Sequence, residues 1–180
     1  TLLFGLILVL NLSTFSQEFI STDKKWNVLS NGWAYSFNTE IFRIDGDSIV
    51  DNITYNKIWL SSDSLLTWWF QGLLREDSNI VYYVPPNSTE GILYDFNIDI
   101  GDSTFIKNFF CNYEELPLFV TDIDTVEHLG KSLKRWHLTA DNNSIEYWIE
   151  GIGSLSGPLY SNYWNCIICP TWELLCYHKI

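Results

Sequence analysis

The chain has 180 residues, 47% hydrophobic and 18% charged, which suits one globular domain with a full-sized core. Its net charge of −12, with ten Lys and Arg among twenty-two Asp and Glu, argues against a nucleic-acid binder or a ligand of anionic membranes. Both need a basic face. Nine Trp, ten Tyr and eleven Phe against only Ala34 and Ala140 tilt the composition toward β-sheet and away from helix.

Residues 2–10 form an apolar run, followed by Asn11 and small polar residues. A membrane-spanning helix needs about 20 apolar residues, so this run reads as the apolar core of a signal peptide. Thr14 and Ser16 supply the small residues read at −3 and −1, which places cleavage before Gln17. The expected organisation is a signal peptide over 1–16, lacking a basic n-region, and a single β-rich domain over 17–180. No stable membrane insertion is expected after cleavage, and no Cys lies near the cut to carry a lipid anchor.

Past the cut, apolar and polar residues alternate between turn formers. Ile41, Arg43 and Asp45 face one way and Phe42 and Ile44 the other, the period of a strand. Asp45-Gly46-Asp47 and Asp51-Asn52 read as turns on either side of a short strand. "TYNKIWLSS" follows, then "LLTWWFQGLLRED", a turn at Asp77-Ser78-Asn79, and "IVYYV" as the return strand. Pro85-Pro86-Asn87-Ser88 is a loop, "EGILYDFNI" another strand, and Gly101-Asp102-Ser103 a turn matching Gly46-Asp47-Ser48. "LFVTDIDTVEHL" and "SLKRWHLTA" flank a turn at Gly130-Lys131. Asp141-Asn142-Asn143 turns the chain into "IEYWIEGI", and "WELLCYHKI" is the last strand. Turn signals every 8–12 residues without a sustained 3.6-residue period predict an all-β fold. The expected form is an antiparallel meander of hairpins curled into a barrel-like or half-barrel sheet, with a two-sheet β-sandwich as the alternative.

Export would place Cys111, Cys166, Cys169 and Cys176 in an oxidising compartment, so at least one disulfide is expected, with three connectivities open. A zinc site from the last three with His178, or a redox CxxC, has less support. Pro170 and a strand follow the CxxC where redox chemistry wants a helix.

The phrases "GDSIVDNITYNKIWLSS", "GLLREDSNIVYYV", "ILYDFNIDIGDS", "KRWHL" and "WIEGIGSLSGPL" occur in that order between about residues 25 and 178. Together they resemble a family of secreted Bacteroidota proteins of unassigned function, often ending in a type IX secretion sorting domain. The resemblance implies an exported β-rich module, secreted or at the cell surface, or periplasmic if no sorting domain follows. It supplies no catalytic residue. The family has Asn-Gly where this chain has Asp51-Asn52, so a looser hairpin is expected there.

"YWIEGIGSLSGPLY" looks most like a site. Its glycines, Gly151, Gly153 and Gly157, nearly spell a dinucleotide loop, but the third comes one place late and Pro158 blocks the helix that would hold phosphates. Neither Ser154 nor Ser156 has the flanking glycines of a nucleophile elbow. The three glycines are therefore read as a structural turn, with Glu150 facing water or capping it and the serines as bystanders. Glu76 and Asp77, with Glu150, are the carboxylates a secreted hydrolase would use. Turn chemistry explains them as well. Acids at 45, 47 and 51 and at 122, 124 and 127 lack a calcium-loop spacing. No metal, cofactor or catalytic residue is expected. Trp68, Trp69, Tyr82 and Tyr83 are the candidate binding residues. Neighbours on a strand face opposite ways, so one of each pair points outward and can stack on a glycan or anchor a surface protein. The sequence thus favours an exported non-enzymatic module over a hydrolase.

Overall fold

The structure, a computed structural model, describes residues 17–31, 37–62, 65–107, 115–140, 144–161 and 171–179, with the backbone alone at 115, 116 and 179. Among these residues every element is a strand: β1 (Lys24–Asn31), β2 (Phe37–Val50), β3 (Ile53–Ser61), β4 (Trp69–Asp77), β5 (Ile80–Val84) and β6 (Gly91–Asp95). They are followed by β7 (Ser103–Lys107), β8 (Glu115–His128), β9 (Lys131–Thr139), β10 (Ile145–Ile149), β11 (Gly153–Ser154) and β12 (Thr171–Lys179). Sheet A is a curled half-barrel of seven antiparallel strands in the order β12-β1-β2-β3-β4-β5-β6. It is a meander of hairpins joined at its first strand by the last strand of the chain. Sheet B holds five strands in the order β11-β10-β9-β8-β7. No helix long and apolar enough to cross a membrane occurs among the described residues.

Three hairpins close with two residues, both in the left-handed region: Asp51-Asn52 (φ 49° and 66°), Ser78-Asn79 (52° and 64°) and Leu129-Gly130 (50° and 74°). The residues flanking each turn pair directly: Val50 with Ile53, Asp77 with Ile80, His128 with Lys131. Two positive φ values match the right-handed twist of the strands that enter and leave. Asp51-Asn52 therefore closes as tightly as the other two, not as a looser hairpin, because Asp and Asn tolerate this conformation nearly as Gly does.

Asp45-Gly46-Asp47 is not a turn. β2 runs through it, and the register slips between Ile44, opposite Ile58, and Asp47, opposite Asn56. Gly46, at φ 76°, takes up the extra residue of a β-bulge. The second Gly-Asp-Ser does turn: Asp102 N–H donates to the Asp99 carbonyl at 3.0 Å, and Ser103 then opens β7. The same tripeptide serves two geometries, because pairing with β3 before and after the bulge, at Ile58 and Asn56, holds the first in the sheet.

One core is shared by the inner faces of both sheets, with Trp26, Phe42, Ile58, Leu74 and Tyr83 from sheet A and Leu118, Trp136, Leu138 and Trp148 from sheet B. Tyr94 is its hub. Its ring lies 5.1 Å from Phe19, 5.7 Å from Phe96 and 5.2 Å from Trp148. Each buried indole N–H finds an acceptor: Trp26 the Ile152 carbonyl at 2.8 Å, Trp136 the Ile98 carbonyl at 2.9 Å and Trp148 the Ser161 hydroxyl at 2.7 Å. Unpaired, each would cost about 1–3 kcal/mol.

Candidate functional site

The strand registers sort the aromatic residues of sheet A by face, since paired residues share a side and chain neighbours do not. One row across five strands runs Tyr177, Trp26, Phe42, Leu60, Trp69. Trp26 and Phe42 are fully buried, and exposure reaches 44% at Trp69. The next row, one residue away in every strand, runs His178, Lys25, Arg43, Trp59, Phe70 on the outer face.

On that outer face Trp59 and Phe70 meet edge to face with centroids 5.6 Å apart. The Trp59 indole donates to the Asp45 carbonyl at 2.8 Å, a carbonyl that belongs to the bulge. The Arg43 guanidinium lies 4.0 Å from the centre of the Trp68 ring and pairs with Asp45 at 3.0 Å. Phe70 stays 41% exposed. The result is an aromatic ledge backed by rigid strands and flanked by cations.

The four aromatic residues singled out from the sequence do not converge. Trp68 joins the outer ledge, whereas Trp69 sits on the opposite side at the rim of the inner row. Tyr82 lies under the Arg75 guanidinium at 3.6 Å, and Arg75 grips Glu90 with two bonds of 2.7 Å. The Tyr55 hydroxyl adds a third at 2.7 Å. Arg75 holds the Glu90 carboxyl below the usual carboxylate range, which keeps this cluster ionised. Tyr83 is wholly buried, its hydroxyl donating to the Gln71 carbonyl at 2.6 Å. Trp59 and Arg43 complete the ledge and were not singled out. Their signal was parity, since Trp59 in "YNKIWLSS" and Arg43 in "IFRID" both stand on the solvent side of alternating strands.

The three acids assigned to a hydrolase are placed on separate structural tasks. Glu76 accepts from the Phe19 N–H at 3.1 and 2.8 Å and from the Ile20 N–H at 2.9 Å. It clamps the segment that leads into β1. Asp77 accepts from the Ser78 hydroxyl at 2.9 Å in the hairpin turn. Glu150 reaches the Lys134 N–H at 3.4 Å, while its own N–H donates to the Lys134 carbonyl at 2.9 Å. It ties the end of β10 to β9 while its carboxylate stays part-exposed.

Gly151, Gly153 and Gly157 have φ of 69°, 96° and 119°, which L side chains resist. Their surroundings are closed. A Cβ at Gly151 would lie 2.6 Å from the Gln17 carbonyl oxygen, one at Gly153 2.9 Å from Phe19 and Tyr94, and one at Gly157 2.9 Å from Val28. The turn is packed into the core, and its serines are not bystanders. Ser154 is fully buried, its N–H donates to the Tyr94 hydroxyl at 3.1 Å, and its own hydroxyl accepts from the Ser156 N–H at 2.9 Å.

Two further acids share the parity of core residues. Glu40, two positions before Phe42, accepts from the Tyr160 hydroxyl at 2.6 Å and the Trp172 indole at 3.1 Å. Burial pushes its carboxyl above the usual value, and these bonds only partly offset that. Glu146, two positions before Trp148, is only 3% exposed. On the outer face of sheet B, Arg135 holds the Asp124 carboxyl down to about 2, and His137 Nε2 stands 3.1 Å from it, in ion-pair range but not aligned for a hydrogen bond.

Cys176 is an exposed free thiol on β12 among the described residues, while Cys111, Cys166 and Cys169 lie outside them, as do the segment 1–16 and the turn expected at 141–143. No group of three or more His, Cys, Asp or Glu among the described residues is placed to hold a metal ion. Comparisons with family profiles, with curated proteins and with solved structures gave no match for this chain.

Proposed function

We propose that this chain is an exported, non-enzymatic module of the cell surface or extracellular space that binds carbohydrate on the outer face of sheet A. The observation that carries the reading is the ledge of Trp59 and Phe70 beside the Arg43-backed Trp68. Sugar rings present C–H faces that pack on aromatic rings, and such packing needs side chains held in place before the ligand arrives. Strand pairing and the bulge carbonyl provide that hold. The acids a hydrolase would require are tied to backbone amides and a turn, which favours binding over catalysis.

The test is calorimetric titration of soluble polysaccharides against wild type, Trp59→Ala and Phe70→Ala. The expected result is a loss of affinity of at least about tenfold in each variant with little change in melting temperature. Undiminished binding in both variants overturns the reading.

A further inference from the structure

We infer that the carbohydrate bound on this face is anionic, with uronate carboxylates or sulfate esters seated on Lys25 and Arg43 while its rings stack on Trp59 and Phe70. The inference rests on the carbohydrate reading and names the substrate class of the same face.

The chain carries a net charge of −12, so its average field repels a polyanion. The outer row departs from that average. His178 pairs across the ladder with Lys25, Lys25 with Arg43, Arg43 with Trp59 and Trp59 with Phe70. Cations thus occupy one half of a continuous strip and aromatic rings the other. Lys57, two residues before Trp59 on β3, has the same parity and adds a further permanent cation to this face, where Arg75 is already paired with Glu90. Asp45 takes one guanidinium nitrogen of Arg43, whereas Lys25 makes no ion pair among the described residues.

Strands lie about 4.8 Å apart, so three strand steps separate Lys25 from Phe70 by ~14 Å. That reach fits several linked sugar rings better than one. A neutral glycan would use only the aromatic half and leave Lys25 without a charged partner. An acidic glycan uses both, and the ion contacts would weaken as salt rises.

The experiment measures binding of polygalacturonate, of its neutral methyl ester and of sulfated dextran, each at low and high salt. Wild type, Trp59→Ala and the double variant Lys25→Gln/Arg43→Gln are compared, with thermal melts confirming that each is folded. The expected result is that wild type prefers at least one anionic polymer over the neutral ester by about tenfold or more. That preference should shrink at high salt and vanish in the double variant, while Trp59→Ala weakens binding of every polymer. Preference for polygalacturonate alone assigns the strip to carboxylates, and preference for sulfated dextran alone assigns it to sulfates. Equal binding of neutral and anionic polymers, or a double variant that keeps the preference, overturns the inference and leaves the carbohydrate reading standing. Binding of no polymer by wild type overturns both.

Discussion

Two rows of side chains cross the same five strands of sheet A, displaced by one residue in each. Tyr177, Trp26, Phe42, Leu60 and Trp69 form the inner row, and His178, Lys25, Arg43, Trp59 and Phe70 the outer. Backbone, register and twist are common to both, so their difference comes from what stands opposite. Across from the inner row lies packed protein, with Tyr160 edge-on to Phe42 at 5.5 Å and Phe19 5.5 Å from Trp26. The outer row is part-exposed among the described residues, from half-buried Lys25, Arg43 and Trp59 to exposed Phe70 and His178, and local contacts such as Arg43 on Trp68 hold its rings. Equivalent aromatic residues thus stabilise the fold on one face and are available to a ligand on the other.

The sharpest way to break that comparison is to truncate a ring in each row. Trp26→Ala removes a fully buried ring and leaves the Ile152 carbonyl without its donor. A loss of about 3–5 kcal/mol is expected in denaturant unfolding. A loss below about 1 kcal/mol would mean that the inner row does not carry the core.

The core extends from that row into the packed turn, and Gly153→Val probes it. The new side chain meets Phe19 and Tyr94 at 2.9 Å in a left-handed conformation. Strain of about 1–3 kcal/mol, with some overpacking added, is expected as a lowered midpoint. Ser154→Ala, which deletes only the hydroxyl acceptor for the Ser156 N–H, should cost about 1 kcal/mol. A neutral Ser154→Ala would show that this bond is replaceable by water.

Glu40 tests the inner face through its charge. Its folded pKa lies above 4.5 because burial disfavours the carboxylate, so the folded state holds the proton to higher pH than the unfolded chain. Stability therefore falls as pH rises from 4.5 through the folded value and is lowest, as far as this group is concerned, above it. Glu40→Gln is expected to remove that slope, matching wild type in acid and equalling or exceeding it near neutrality. Melts across this pH range that keep an unchanged slope in the variant would assign the dependence to another group.

The smallest stability effect belongs to the outer row. Phe70→Ala gives up one edge-to-face contact on a ring already 41% exposed, so a change under about 1 kcal/mol is expected. If it unfolded the protein as Trp26→Ala should, the two rows would not differ in kind.

By itself, the sequence determined the all-β class, most strand positions and most, but not all, of the places where the chain reverses. These follow from local chemistry: alternation sets the strand, and Ser78-Asn79 tolerates left-handed φ wherever it stands. Parity also aligns Glu40 with Phe42, and Trp59 with Lys57, in the bare sequence. Only tertiary structure decided which parity faced protein. It also decided whether Gly46-Asp47-Ser48 bulged or turned, and that Glu76 would clamp Phe19 and Ile20 from 57 and 56 residues away. It set Trp69 against Phe70 on opposite sides and Arg43 beneath Trp68. The physical reason is that a strand's two faces are equivalent until a second surface covers one of them, and that surface comes from residues far along the chain.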